Sequence, residues 1–154
     1  MPHPTAEVEA AVAAYVAVRA AIEAGDQTWS DLAQLFTDDA EYVDPAWGRI
    51  RGLSAIREFF VESMAGLEDW RFPIQFTAVN GDDVVTVWHQ VLPSTRPDGQ
   101  PFWQTGVSLL RYAGAGRFSY EEDLLNMAHV LEDLAASGWT PGPGFTPPPA
   151  HPAR

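Results

Sequence analysis

The sequence predicts an α+β domain: a strongly curved antiparallel sheet packed against three N-terminal helices, with a short C-terminal helix. Three observations predict it. Apolar residues recur at helical spacing from Thr5 to Leu67; period-two alternation dominates from Trp70 to Asn126; and Gly- and Asn-rich turns punctuate that second half. Helices first and strands afterwards place the helices on one face of the sheet. A curved sheet closed by a long first helix makes a cone with an apolar interior.

The elements follow in order. Thr5 to Ala24 is Ala-rich and stops at Gly25. "GDQTWSDLAQLF" predicts a second helix, with Asp26 or Thr28 as N-cap and Trp29, Leu32, Leu35 and Phe36 on one side. Glu41 to Asp44 alternates briefly, as a short strand does. "GLSAIREFFVESMAGL" is a third amphipathic helix burying Leu53, Ile56, Phe59 or Phe60, and Met64. Turns at Asn80-Gly81-Asp82, Pro97-Asp98-Gly99 and Gly114-Ala115-Gly116 separate the strands of a meander, because Asn and Gly accept positive φ. A last short helix covers Met127 to Ala136. Residues 1–137 then form one domain, and the Pro/Gly-rich 138–154 a tail that extends neither helix nor sheet.

Composition narrows the function. The net charge is −12, and all nine basic residues are arginine. Such a balance repels phosphate backbones and anionic membranes, which argues against nucleic acid and membrane partners. The absence of cysteine removes disulfides, thiolate chemistry and Cys-ligated metal. The histidines show no metal-ligand spacing, so neither metal nor cofactor is expected. "MPHPTAEVEA" lacks the features of a signal peptide, which makes the cytoplasm the expected location. Six Trp, four Tyr and eight Phe supply apolar area with polar handles, as a ligand cavity requires.

The order of elements, with "AAYVAVRAAIEAGD", "LFTDDAEYVDP", "GRIRGLSAIREFF" and "LLRYAGAGRF", resembles the nuclear-transport-factor-2-like superfamily. Within it the chain is similar to SnoaL-like polyketide cyclases and ketosteroid isomerases, over roughly residues 5 to 130. The resemblance implies that Asp44 is a general base and that Tyr15 donates to a substrate oxyanion; the isomerase is a standard worked example of that chemistry. A protonated aspartate of the isomerase falls at Ser108, a weaker acid, which disfavours steroid isomerisation. The Arg-Asp-Asp set of limonene epoxide hydrolases falls at Trp88, Gln90 and Asn126, none of which ionises to activate water. The resemblance also implies a homodimer paired through the outer sheet face.

Residue patterns add to this. Val8, Val12, Tyr15, Arg19 and Ile22 share one stripe of the first helix, so Tyr15 faces inward. Arg19 either lays its stem on that stripe with its head in water beside Glu23, or enters the cavity, where Asp44 is a carboxylate partner. Tyr42 and Asp44 share one side of their strand. Asp44 before Pro45 also suits a turn initiator. In "SYEEDLLN", Tyr120, Glu122, Leu124 and Asn126 form the more apolar face, so the expectation turns Glu122 and Asn126 inward and makes Glu122 a second acid or base. Its alternative is a solvated strand end or an interface ion pair with Arg111 or Arg117. His89, in a "HQ" pair resembling that of scytalone dehydratases, is a candidate proton shuttle. It lies opposite Trp88 and Gln90, which are preferred inside. Trp47, Phe59, Phe60, Trp70, Phe72, Phe102 and Trp103 are read as core or dimer interface. The expected function is cofactor-independent isomerisation or cyclisation of a hydrophobic, polyketide- or terpenoid-like molecule by proton transfer. The rival is a non-catalytic ligand binder or dimeric accessory protein.

Overall fold

The computed structural model describes residues 1–154. α1 (Thr5–Ala24) runs the expected length and ends where Gly25 turns left-handed at φ 82° and its N–H caps the helix. α2 (Trp29–Leu32) is a single turn followed by one 3₁₀ turn, Ala33–Leu35, shorter than the helix the sequence predicts. The chain must be extended by Phe36, which is fully buried and pairs with Phe118. β1 (Phe36–Asp44) is correspondingly longer than the brief strand expected. β2 (Gly48–Arg51) folds back antiparallel on it, a strand too short and polar to announce itself.

α3 (Leu53–Met64) buries both Phe59 and Phe60. β3 (Ile74–Asn80), β4 (Asp83–Thr95), β5 (Pro101–Tyr112) and β6 (Phe118–Leu125) form the expected meander, and α4 (Met127–Ser137) follows. The sheet order is β2-β1-β6-β5-β4-β3. β1 runs parallel to β6 and every other pair is antiparallel, so the curved sheet is mixed and its two edges do not meet. No helix is long and apolar enough to cross a membrane.

Two details of the sheet position the site. On β5, Gly106 lies opposite Trp88 of β4, and the indole ring occupies the space a Cβ would fill. Between β5 and β6, Tyr112 pairs with Phe118 but Arg111 with Tyr120, so Ser119 is the extra residue of a bulge. Phe118 therefore faces the core, and the strand beyond the bulge turns Glu121 inward. The main core gathers Val8, Tyr15, Phe36, Ile56 and Phe118 under α1 and α3. A second cluster, Trp70, Phe72, Trp88, Leu92 and Phe102, lies toward α4. The tail after α4 is extended rather than helical or stranded, apart from one bridge between Ala153 and Gly48.

Candidate functional site

A cavity of about 280 Å³ opens between α1, α3, the inner sheet face and α4. Its lining is mainly apolar, with Trp29, Phe59, Phe60, Trp70, Phe72 and Trp88 supplying aromatic walls. The polar exceptions include Arg19, Tyr42, Asp44, Gln90 and Asp123.

Behind that lining runs a hydrogen-bonded chain. Trp88 Nε1 donates to Ser108 Oγ (2.9 Å), and Ser108 donates to Asp123 Oδ1 (2.6 Å). The Tyr42 hydroxyl makes a short bond to Asp123 Oδ2 and lies 3.4 Å from Glu121 Oε1. Tyr15 donates to the same Glu121 oxygen (2.9 Å), and Arg19 Nη1 donates to the Tyr15 hydroxyl (3.2 Å). Tyr42 carries one hydrogen and meets two carboxyl groups, so it cannot donate to both. A proton on Glu121 resolves this: Glu121 donates to Tyr42, and Tyr42 to Asp123. Burial, with the charge of Asp123 adding to it, holds Glu121 well above the ordinary carboxylate range. Burial raises Asp123 too, against the bonds from Ser108 and Tyr42 that favour its ionised form.

Asp44 stands apart from the chain, at the end of β1. Its Oδ1 accepts from the N–H groups of Ala46 and Trp47, each at 2.8 Å, which makes it the turn initiator that brings β2 back. The other oxygen, Oδ2, has no hydrogen-bond partner, and the residue lines the cavity. Desolvation, reinforced by the charge of Asp123, raises its pKa to about 6 although the two N–H bonds pull the other way. Both readings of this residue, turn and cavity carboxylate, hold at once.

The structure rearranges several expectations. Tyr15 is buried, but its hydroxyl is spent on Glu121, and Ser108 is sealed between Trp88 and Asp123. Trp88 and Gln90 face inward, and Gln90 donates to Gln104 (2.9 Å). His89 faces outward and stacks on Trp103, ring centres 4.1 Å apart. Glu122 also faces outward and accepts from Tyr120 (2.7 Å), while Asn126 is exposed and caps α4 by accepting from His129 N–H. The expectation took the more apolar face of β6 as the inner one. Here the inner face carries Glu121 and Asp123, which three hydroxyl donors compensate, and Leu124 stays outside. Arg19 enters the interior at 5% exposure without a carboxylate partner. It donates to Phe72 O (2.9 Å), and its guanidinium lies 5.1 Å from the Trp29 ring and 5.9 Å from that of Trp88. Glu23 is engaged elsewhere, accepting from Phe72 N–H. Glu121 and Asp123 escaped the sequence reading; the inward hydroxyl of Tyr15, which needs an acceptor, was the signal for them.

Comparison with known proteins agrees with this architecture. Residues 12–120 match the SnoaL-like domain. Similar solved structures include a candidate SnoaL-like polyketide cyclase from Jannaschia sp. CCS1, at 16% identity and TM-score 0.66, covering 91% of this chain and 99% of that one. TerC co-crystallised with polyporic acid aligns at 20% identity and TM-score 0.61, covering 82% and 96%. A hypothetical protein of ketosteroid-isomerase-like fold from Catenulispora acidiphila DSM 44928, in complex with trimethylamine, aligns at 28% identity and TM-score 0.61, covering 82% and 97%. No curated protein matches the sequence. The chain belongs to the SnoaL-like family.

Proposed function

We propose that this SnoaL-like protein is a cofactor-independent enzyme that moves a proton on a hydrophobic carbonyl compound, leading to isomerisation or ring closure. The observation that carries the reading is that the Asp44 carboxylate and the Arg19 guanidinium line one apolar cavity. Asp44 Oδ2 removes the proton from the carbon next to the carbonyl, and the released electron pair moves onto the carbonyl oxygen. Arg19, which lines the cavity and keeps N–H groups beyond those spent on Tyr15 and Phe72, hydrogen-bonds that developing enolate. The enolate then takes that same proton back from Asp44 at another carbon, or attacks a second carbonyl of the same molecule to give an alkoxide that Asp44 protonates. A pKa near 6 suits Asp44 to both halves of this cycle. Tyr15 and Glu121 act from behind, holding Tyr42 and Asp123 in place. The polyketide- or terpenoid-like substrate class fits the aromatic walls.

The outer sheet face supports a homodimer. Phe76, Trp103, Leu109 and Leu124 are exposed there (57, 44, 38 and 45%), a concentration of apolar surface that a second copy would cover. Sedimentation of Trp103→Glu against the native chain tests it.

The catalytic reading is tested with a flat enolisable ketone, 2-tetralone, in D2O. The native protein should speed deuterium entry next to the carbonyl over buffer, and Asp44→Asn should lose about 100-fold or more of that acceleration. Binding of the ketone without any acceleration would make the protein a ligand binder and end the enzyme reading.

A further inference from the structure

The C-terminal segment, which lies beyond the family match ending at residue 120, is docked along the cavity. Gly138 turns the chain out of α4 (φ 66°), and Trp139 sets its ring edge-on to Trp70, centres 5.1 Å apart. Phe145 packs edge-on to Trp139 in turn, at 6.0 Å. Gly142 N–H donates to Gly66 O (3.1 Å), and near the end of the chain Arg49 N–H donates to Ala153 O (2.8 Å). Gly66 follows α3 and Gly48 opens β2, so the segment spans the cavity wall between two separate elements. Trp139, Phe145, Thr146 and Pro148 all contribute to the lining.

Both anchors require glycine. A Cβ on Gly66 would lie 2.7 Å from Phe145 Cβ, and one on Gly48 would lie 2.7 Å from Pro152 Cβ. Prolines at 141, 143, 147, 148, 149 and 152 restrict the segment before it docks, which lowers the entropy that docking costs. The closure is nevertheless incomplete. The indole N–H groups of Trp70 and Trp139 are buried at the contact with no acceptor, an arrangement that disfavours the docked state. Two unmet donors at the contact offset part of what the two backbone hydrogen bonds and the aromatic contacts contribute to docking.

We propose that Trp139 to Ala153 form a releasable wall that selects the ligand, with Phe145 and Trp139 as its specificity-determining side chains. The proposal rests on the reading that the cavity binds a hydrophobic molecule. An aromatic and proline-rich wall with no charged side chain at the lining favours flat apolar ligands and limits their length.

The test uses the full chain and two neutral fluorescent probes, N-phenyl-1-naphthylamine and the larger Nile red. Gly66→Val should free the Gly142 and Arg49 amides to hydrogen exchange and speed probe dissociation by about ten-fold or more. Gly99→Val is the control, since Gly99 shares the positive φ (84°) but has open space around it. Phe145→Ala should shift relative affinity toward Nile red by about five-fold or more, through the added length at the wall. If the amides are released but dissociation and selectivity stay within about two-fold of the native protein, the wall has no selective role. If neither probe binds any variant, the cavity reading falls and the wall with it. If both probes bind and only selectivity is unmoved, the cavity reading stands and the wall alone is overturned.

Discussion

The inner end of the cavity is backed by a continuous chain of side-chain hydrogen bonds, and its mouth is not. At the inner end, Ser108, Thr86, Tyr15 and Glu121 are fully or almost fully buried; Ser108, Tyr15 and one oxygen of Glu121 are held by fixed partners, while Thr86 Oγ1 and Glu121 Oε2 have none. At the mouth, Asp44 keeps one oxygen unpaired, and Trp70 and Trp139 leave their N–H groups without acceptors. The contrast separates the bonded chain, which sets geometry, from the Asp44 carboxylate, which keeps one oxygen unbonded beside the cavity.

The largest expected effect is at the inner end. Ser108→Ala removes only the hydroxyl, strands the Trp88 N–H and takes a donor from Asp123, and should cost about 3 kcal/mol in urea unfolding. A loss below about 0.5 kcal/mol would mean that the chain of bonds is not closed there.

At the mouth the expected sign is reversed. The folded pKa of Asp44, about 6, lies above its ordinary value of 3.8. Its contribution to stability is therefore fully present at low pH and is lost as pH rises from about 4 through 6. Asp44→Asn keeps an oxygen for the two N–H groups without that loss. It should match the native protein near pH 4 and exceed it by about 2 kcal/mol above pH 6.5, read from denaturation at both pH values. Equal stability at both would remove the desolvated carboxylate from the account.

The smallest effect is expected at Glu121. If it holds the proton that Tyr42 cannot supply, the neutral Glu121→Gln keeps the charge and one of the two bonds to Tyr15 and Tyr42, and should cost only about 1 kcal/mol at pH 7. A much larger loss would identify Glu121 as the ionised member of the pair with Asp123.

The same contrast explains what the sequence disclosed. The stripe of α1 put Tyr15 inside, Asn80-Gly81 and Gly114-Ala115-Gly116 marked hairpins, and the Met127 helix was legible from its period. All of these depend on neighbours in sequence. The phase of β6 depends on hydroxyls from α1, β1 and β5 that make an acidic face the inner one, and on an outer face that is itself apolar. The alternation of Tyr120 to Leu125 was readable, but not which side faces in. The choice between the two placements of Arg19 was not legible for the same reason, since its partners Phe72 O and the Trp29 and Trp88 rings come from distant segments. The tail was legible as neither helix nor sheet, but the glycines that dock it lie about 75 and 100 residues away in sequence, at Gly66 and Gly48.

The most direct measurement is the pH dependence of 2-tetralone deuteration by the native protein. If Asp44 is the base, acceleration should rise with pH along a limb centred near 6, as its carboxylate forms, and level off above it. Asp44→Asn should abolish that limb. Acceleration independent of pH between 4 and 8, or a limb near 6 that survives in Asp44→Asn, would contradict the assignment.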